Sequence, residues 1–184
     1  MLPVARFVMA FAFLSINFVP ATAAEDVPVL RAGVAAVDIT PKDFPVNMPG
    51  GFGPNMAEKA HDFLHARALV LDDGKTKLAI VIVDNLGVAR EAIDEAKLLA
   101  SRKCDILPER MLVSSTHTHS APPSNVIDGP KEAVAYRKIL VEGIAEAIIR
   151  AHGNLRPAAI GAAAIHSPTR SSTDAGFSSP TRCR

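Results

Sequence analysis

Histidine is the residue most able to do chemistry in this chain. Two of its six histidines stand in Ser115-Thr116-His117-Thr118-His119-Ser120, at the end of the run Met111-Leu112-Val113. Residues two apart on an extended chain project to the same side. The two imidazoles, flanked by hydroxyls, then suit a zinc site or a general base; solvated histidines at a polar strand end are the plainer alternative. A second pair lies in His61-Asp62-Phe63-Leu64-His65. A spacing of four would put both rings on one face of a helix and invite a metal. Ala66 onward reads as strand, however, and on an extended chain the pair also shares a face. The alternative is that one or both are ordinary surface histidines. His152 falls at the C-terminal end of a helical pattern, where a cation suits the helix dipole, so its role reads as structural. His166 borders a polar tail and has no assigned role.

Asp84-Asn85 closes an apolar run, and a carboxylate there could orient a histidine or cap the next helix. Pro122 and Pro123 stiffen the loop that leaves the His117–His119 motif. A nucleotide site is rejected and a standard α/β-hydrolase is disfavoured. Gly50-Gly51-Phe52-Gly53 lacks the Gly-Lys-Ser/Thr ending of a phosphate loop, and no Gly-x-Ser-x-Gly nucleophile elbow occurs. A net charge of +1 rules out a strongly basic nucleic-acid binder. Two cysteines rule out a disulfide-dense scaffold or a Cys-rich zinc module.

The elements that must position these residues follow from periodicity. Gly33–Ile39 is apolar and β-branched and stops at Pro41, a first strand. Residues 43–60, rich in Pro, Gly, Asn and Met, form a loop long enough to carry function. Ala66–Leu71 and Lys77–Val83 flank Asp72-Asp73-Gly74-Lys75, a hairpin signal. The second run is apolar throughout, as in a central strand buried on both faces. Residues 88–103 and 131–152 carry helical stripes. The second stripe is Tyr136, Leu140, Ile144, Ala147, Ile148 and Ala151, with Gly153 as its stop. Met111–Thr116 is a strand between the helices, and Pro157–Ile165 a last short one. The order predicts an α/β fold, a mixed β-sheet sandwiched with helices, as an incomplete portion of a larger α/β domain.

The two ends read differently. Residues 1–24 carry Arg6, the apolar run Phe7–Leu14 and the small residues Ala21-Thr22-Ala23, the pattern of a signal peptide. The expectation is a secreted or periplasmic protein, in an oxidising compartment where Cys104 and Cys183 could pair. Residues 25–166 form the α/β part. Residues 167–184 are rich in Ser, Thr and Arg and contain no Val, Leu or Ile. They read as a disordered tail, or as the place where the frame of a larger protein is lost.

Taken together, four pieces resemble the N-terminal part of the neutral/alkaline, non-lysosomal ceramidase family. Gly33-Val-Ala-Ala-Val-Asp-Ile-Thr40 resembles its opening strand, and Gly51-Phe52 its early Gly-aromatic turn. His61 followed by Ala66-Arg-Ala-Leu-Val-Leu71 resembles its histidine and Ala-Arg-Ala strand. Thr116-His-Thr-His-Ser120 resembles its most specific motif. The resemblance spans about residues 31–165. It implies hydrolysis of the amide of N-acylsphingosine (ceramide) to sphingosine and a fatty acid with one zinc ion, and contact with a membrane surface. It also implies that His117 is a zinc ligand and that His119 and His61 line the active site. Two departures stand out: the motif continues Ser120-Ala121-Pro122-Pro123 where the family has Ser-Gly-Pro-Gly, and Lys59-Ala60-His61 replaces Gly-Ile-His. The family's other zinc ligands and its active-site serine lie further downstream than this match extends. The expectation is therefore an enzyme portion that is incomplete as it stands. The alternative is an exported, non-catalytic α/β binding or remnant module.

Overall fold

Strand-forming and helix-forming periodicities alternate along the chain, and the structure, a computed structural model, follows them. It describes residues 29–49 and 53–164. β1 (Arg31–Asp38) is followed by two short strands, β2 (Val46–Asn47) and β3 (Met56–Ala57). The hairpin β4 (His65–Asp72) and β5 (Lys77–Val83) comes next, then α1 (Arg90–Ser101), β6 (Met111–Ser115), α2 (Lys131–Gly153) and β7 (Arg156–Pro157). The main sheet has the order β6-β5-β4-β1-β7. β1, β4 and β5 pair antiparallel, with Val34 opposite Leu69 and Leu69 opposite Ile80, while β6 runs parallel to β5, with Leu112 beside Ile80. The sheet is mixed, as expected. The β4–β5 turn is stabilised by Asp72 and Asp73, whose carboxylates accept the N–H groups of Gly74, Lys75 and Thr76, and Gly74 takes a positive φ.

Both helices cover one face of the sheet. Ala66, Ala68, Val70, Ala79, Val81 and Val83 point into a core with Ala92, Ala96 and Ala100 of α1. The whole expected stripe of α2, from Tyr136 to Ala151, is buried there as well. α2 lies very close to β1: a Cβ at Gly33 would strike the Ala151 carbonyl, and one at Gly143 would strike Ile39.

The opposite face corrects one expectation. β5 is central, but it is buried on one face only; Leu78 and Ile82 are 44% and 40% exposed, and Val34 and Leu112 both 59%. By register, Val34, Leu69, Ile80 and Leu112 form one apolar row across four strands. The run is apolar throughout, but among the described residues only one helical layer exists to cover it.

Two further expectations are corrected. β7 is two residues long instead of spanning 157–165. Pro157 has no N–H for the ladder, and the Ala- and Gly-rich run after it has little strand preference. The loop 43–60 carries the β2–β3 ribbon, two residues a side. Residues 1–24, Gly50–Phe52, His166, the 167–184 tail and Cys183 lie outside the described residues. Cys104 is buried, which pushes its thiol pKa up. No helix among the described residues is long and apolar enough to cross a membrane.

Candidate functional site

The parallel pair β5–β6 ends on one side of the sheet, where open α/β sheets place their ligands. The loops that leave these strands carry Asp84–Ala89 and Thr116–Pro130. The Thr116 N–H donates to the Val83 carbonyl, the last tie between the two strands. Beyond it the chain leaves extended geometry. His117 has φ 62°, in the left-handed region, so the strand alternation expected for His117 and His119 does not operate. The rings come together by another route: the kink turns His117 back toward the β5 loop. The two rings meet edge to face, with centroids 5.3 Å apart and planes at 78°.

His117 Nδ1 lies 2.8 Å from the Leu86 carbonyl oxygen. A carbonyl only accepts, so Nδ1 carries the proton and Nε2 is left as the basic nitrogen. Fixing one imidazole nitrogen on a backbone carbonyl is how proteins orient a histidine that ligates or moves protons through the other.

His61 sits in the loop before β4 and is 94% exposed, beside Asp62. What holds that loop is legible in the chain. Asp38 Oδ1 accepts the Thr40 N–H, and hydrogen bonds from Thr40 hold the Asp38 carboxyl below its usual range. The Thr40 hydroxyl then accepts the Leu64 N–H, and the Ile39 N–H donates to the Leu64 carbonyl. Asp38-Ile39-Thr40 thereby ties the His61–Leu64 segment to the exit of β1.

Between this segment and the histidine motif lies a cavity of about 500 Å³. Phe44, Val46, Met48 and Leu64 give it an apolar wall, and His61, Lys59, Thr118 and Ser120 bring polar groups. His61 therefore opens onto the same cavity as the residues that flank His119 on either side. His65 is separated from that role: it starts β4, and its ring Nδ1 lies 3.3 Å from Arg67. The Phe44–Met48 wall was not legible in the sequence, because its residues lie in a loop without periodicity. The Pro- and Met-rich composition of that loop was the only signal.

Asp84 neither caps a helix nor orients a histidine ring. Its carboxylate accepts from Arg67 at 2.7 Å and from the His65 backbone N–H at 3.0 Å, locking β4 to β5. α1 instead begins at Arg90, with Ala89 before it and no side-chain cap from its own N-cap residue. His152 has the structural role expected: it lies in the last turn of α2, and its Nε2 is 2.7 Å from Asp105 Oδ1.

Among the described residues no group of three or more His, Cys, Asp or Glu side chains comes together to hold a metal. With Nδ1 held by Leu86, Nε2 is the remaining ring nitrogen of His117.

No protein-family model matches the chain. Among curated proteins it is similar to neutral ceramidase 3 of Arabidopsis thaliana, 32% identical over 144 residues, which cover 70% of this chain and 19% of that protein. Its fold is similar to the solved neutral ceramidase from Pseudomonas aeruginosa, with a TM-score of 0.62 and 23% identity over 72% of this chain and 23% of that one. It is also similar to a ceramidase complexed with C2, with a TM-score of 0.54 and 23% identity over 70% of this chain and 22% of that one. The chain thus spans about a fifth of the length of the relatives it matches.

Proposed function

Starting from a chain that is neutral-ceramidase-like in sequence and in fold, we propose that it contributes a histidine-bearing wall to a site that hydrolyses the amide of N-acylsphingosine. The observation that carries this reading is the single cavity shared by His61, Thr118 and Ser120, beside a His117 whose Nδ1 is already held. The apolar Phe44–Met48 wall suits a long acyl or sphingoid chain, and the polar side suits an amide.

In this reading His117 Nε2 is one zinc ligand, and His61 and His119 line the active site. A full zinc site would supply carbonyl polarisation and an acidic bound water. The ligand set here is incomplete, so the remaining ligands come from polypeptide outside the described residues. What this chain's own residues do is narrower. Leu86 orients His117, Asp38-Ile39-Thr40 positions the His61 loop, and the edge-to-face contact sets His119 against His117. A substrate this apolar is met at a membrane surface. Residues 1–24, as a signal peptide, would export the protein to the periplasm or the outside.

The test uses the purified chain with a short-chain fluorescent ceramide, with and without added zinc. The reading expects binding that perturbs the backbone signals of residues 59–64 and 118–122, no turnover, and weak zinc binding that His117→Ala abolishes. Turnover or tight zinc binding by this chain alone would show that the site is self-sufficient. No ceramide binding would favour a non-catalytic module.

A further inference from the structure

The Leu86 carbonyl can orient His117 only if the turn that carries it is itself fixed. Two buried polar side chains fix it from below. Asn85 is fully buried. Its Nδ2 donates to the Pro122 carbonyl at 2.9 Å and to the Tyr136 hydroxyl at 3.3 Å, and its Oδ1 accepts the Gly87 N–H at 3.1 Å. Ser124 is 4% exposed. Its hydroxyl donates to the Gly87 carbonyl at 2.8 Å and accepts the Ala89 N–H at 2.8 Å. Leu86 is thus bracketed: the residue before it and the residue after it are both bonded to the 120–124 loop, which continues the histidine motif.

The two loops are therefore one clasp, closed three times. His117 reaches across to Leu86, Asn85 reaches back to Pro122, and Ser124 reaches back to Gly87 and Ala89. Among the described residues no buried side-chain nitrogen or oxygen lacks a partner, so the network is fully satisfied and correspondingly stiff. Removing the Asn85 carboxamide would leave the Pro122 carbonyl unpaired in the interior and release the Gly87 N–H, so that the turn loses its hold on the 120–124 loop.

We propose that Asn85 and Ser124 are positioning residues for His117, acting through the Leu86 carbonyl to hold the ring as its Nδ1–H tautomer with Nε2 left as the unprotonated nitrogen. The inference rests on His117 being the working imidazole of the proposed site. Its test reads the ring itself and not hydrolysis, so the two can fail separately.

The experiment is long-range 1H–15N spectroscopy of the histidine rings of the full, uniformly 15N-labelled chain without added metal. It is run at about pH 8. His117→Gln assigns the signal. The expected result is a His117 ring dominated by the Nδ1–H form in the unmodified protein. Ser124→Ala and Asn85→Ala should reduce that form to the minor one, while Ser124→Thr, which keeps the hydroxyl, should restore it. Tyr136→Phe serves as the control: it removes a partner of Asn85 but no bond to the Leu86 turn, and should leave the tautomer unchanged whatever it does to the melting temperature. Should Asn85→Ala fail to fold, the Ser124 pair decides. A His117 ring that keeps its Nδ1–H form in Ser124→Ala, or that lacks that form in the unmodified chain, overturns the proposal. So does an equal shift in Tyr136→Phe, which would make the effect one of general stability.

Discussion

Replacing Gly143 with alanine sets two known effects against each other. In the interior of a 23-residue helix, Gly→Ala ordinarily stabilises by about 1 kcal/mol through backbone entropy. At this position the added Cβ would strike the Cγ2 of Ile39, a side chain with no exposed surface. Overpacking a closed core costs typically about 1–3 kcal/mol. The overlap is severe, so the upper part of that range applies, and the net change is a loss of about 1–2 kcal/mol. Gly33→Ala should cost more. Its Cβ meets backbone atoms, the Ala151 carbonyl together with Asn154 C and Leu155 N at 2.9 Å, and these move only if α2 and the chain after it shift off β1. Urea unfolding of the full chain and the two variants, followed by circular dichroism, measures the order. The expected ranking of midpoints is unmodified, then Gly143→Ala, then Gly33→Ala. A Gly143→Ala protein as stable as the parent or more so would mean that helix propensity outweighs the contact, and that the close seating of α2 on β1 is wrong.

Two more outcomes follow from the same structure. Hydrogen bonding at 2.7 Å lowers the pKa of Asp105 and raises that of Lys77. A depressed carboxylate stabilises the fold above its unfolded value, near 3.9, and loses that contribution as pH falls through its folded one. A raised lysine stabilises below its unfolded value, near 10.4, and loses the contribution as pH rises through its folded one. Asp105→Asn should therefore lower stability across the neutral range by no more than about 1 kcal/mol, because the pair is largely solvated, and the difference from the parent should vanish in acid; a difference that persists at pH 2–3 would show that the pair is not its source. On the open face of the sheet, Val34→Thr and Leu112→Thr keep strand preference while removing apolar surface. Both should leave the unfolding free energy within about 0.5 kcal/mol and reduce binding of a hydrophobic dye, whereas a loss of several kcal/mol would show that this face is packed in the folded chain.

What the sequence made legible was periodic. The β4–β5 hairpin announced itself by Asp-Gly between apolar runs, and every residue of the expected α2 stripe is buried, because a 3.6-residue stripe has one way to meet a sheet. β5 shows the limit. Its two faces are equally apolar in sequence, and only the position of the helices decides which is covered. The pairing of His117 with His119 was anticipated from strand alternation and arises instead from a left-handed residue, which local pattern does not encode. Asp84 next to a helix start suggested a cap; its actual partners, Arg67 and the His65 N–H, come from the neighbouring strand and are set by pairing register. Asn85 carries no signal in the sequence beyond its place after Asp84, since an asparagine shows its partners only once two loops are brought together.

The most direct measurement is an exchange. The aligned stretch of neutral ceramidase 3 of Arabidopsis thaliana is replaced by the corresponding residues of this chain, and hydrolysis of a short-chain ceramide is followed in the hybrid and in its His117→Ala variant. If this chain supplies a working histidine wall, the hybrid hydrolyses ceramide and the His117→Ala variant loses at least about a hundredfold of that rate, as expected when a metal or proton-transfer group is removed. A folded hybrid with no activity, or one whose activity is indifferent to His117, is incompatible with the proposed role.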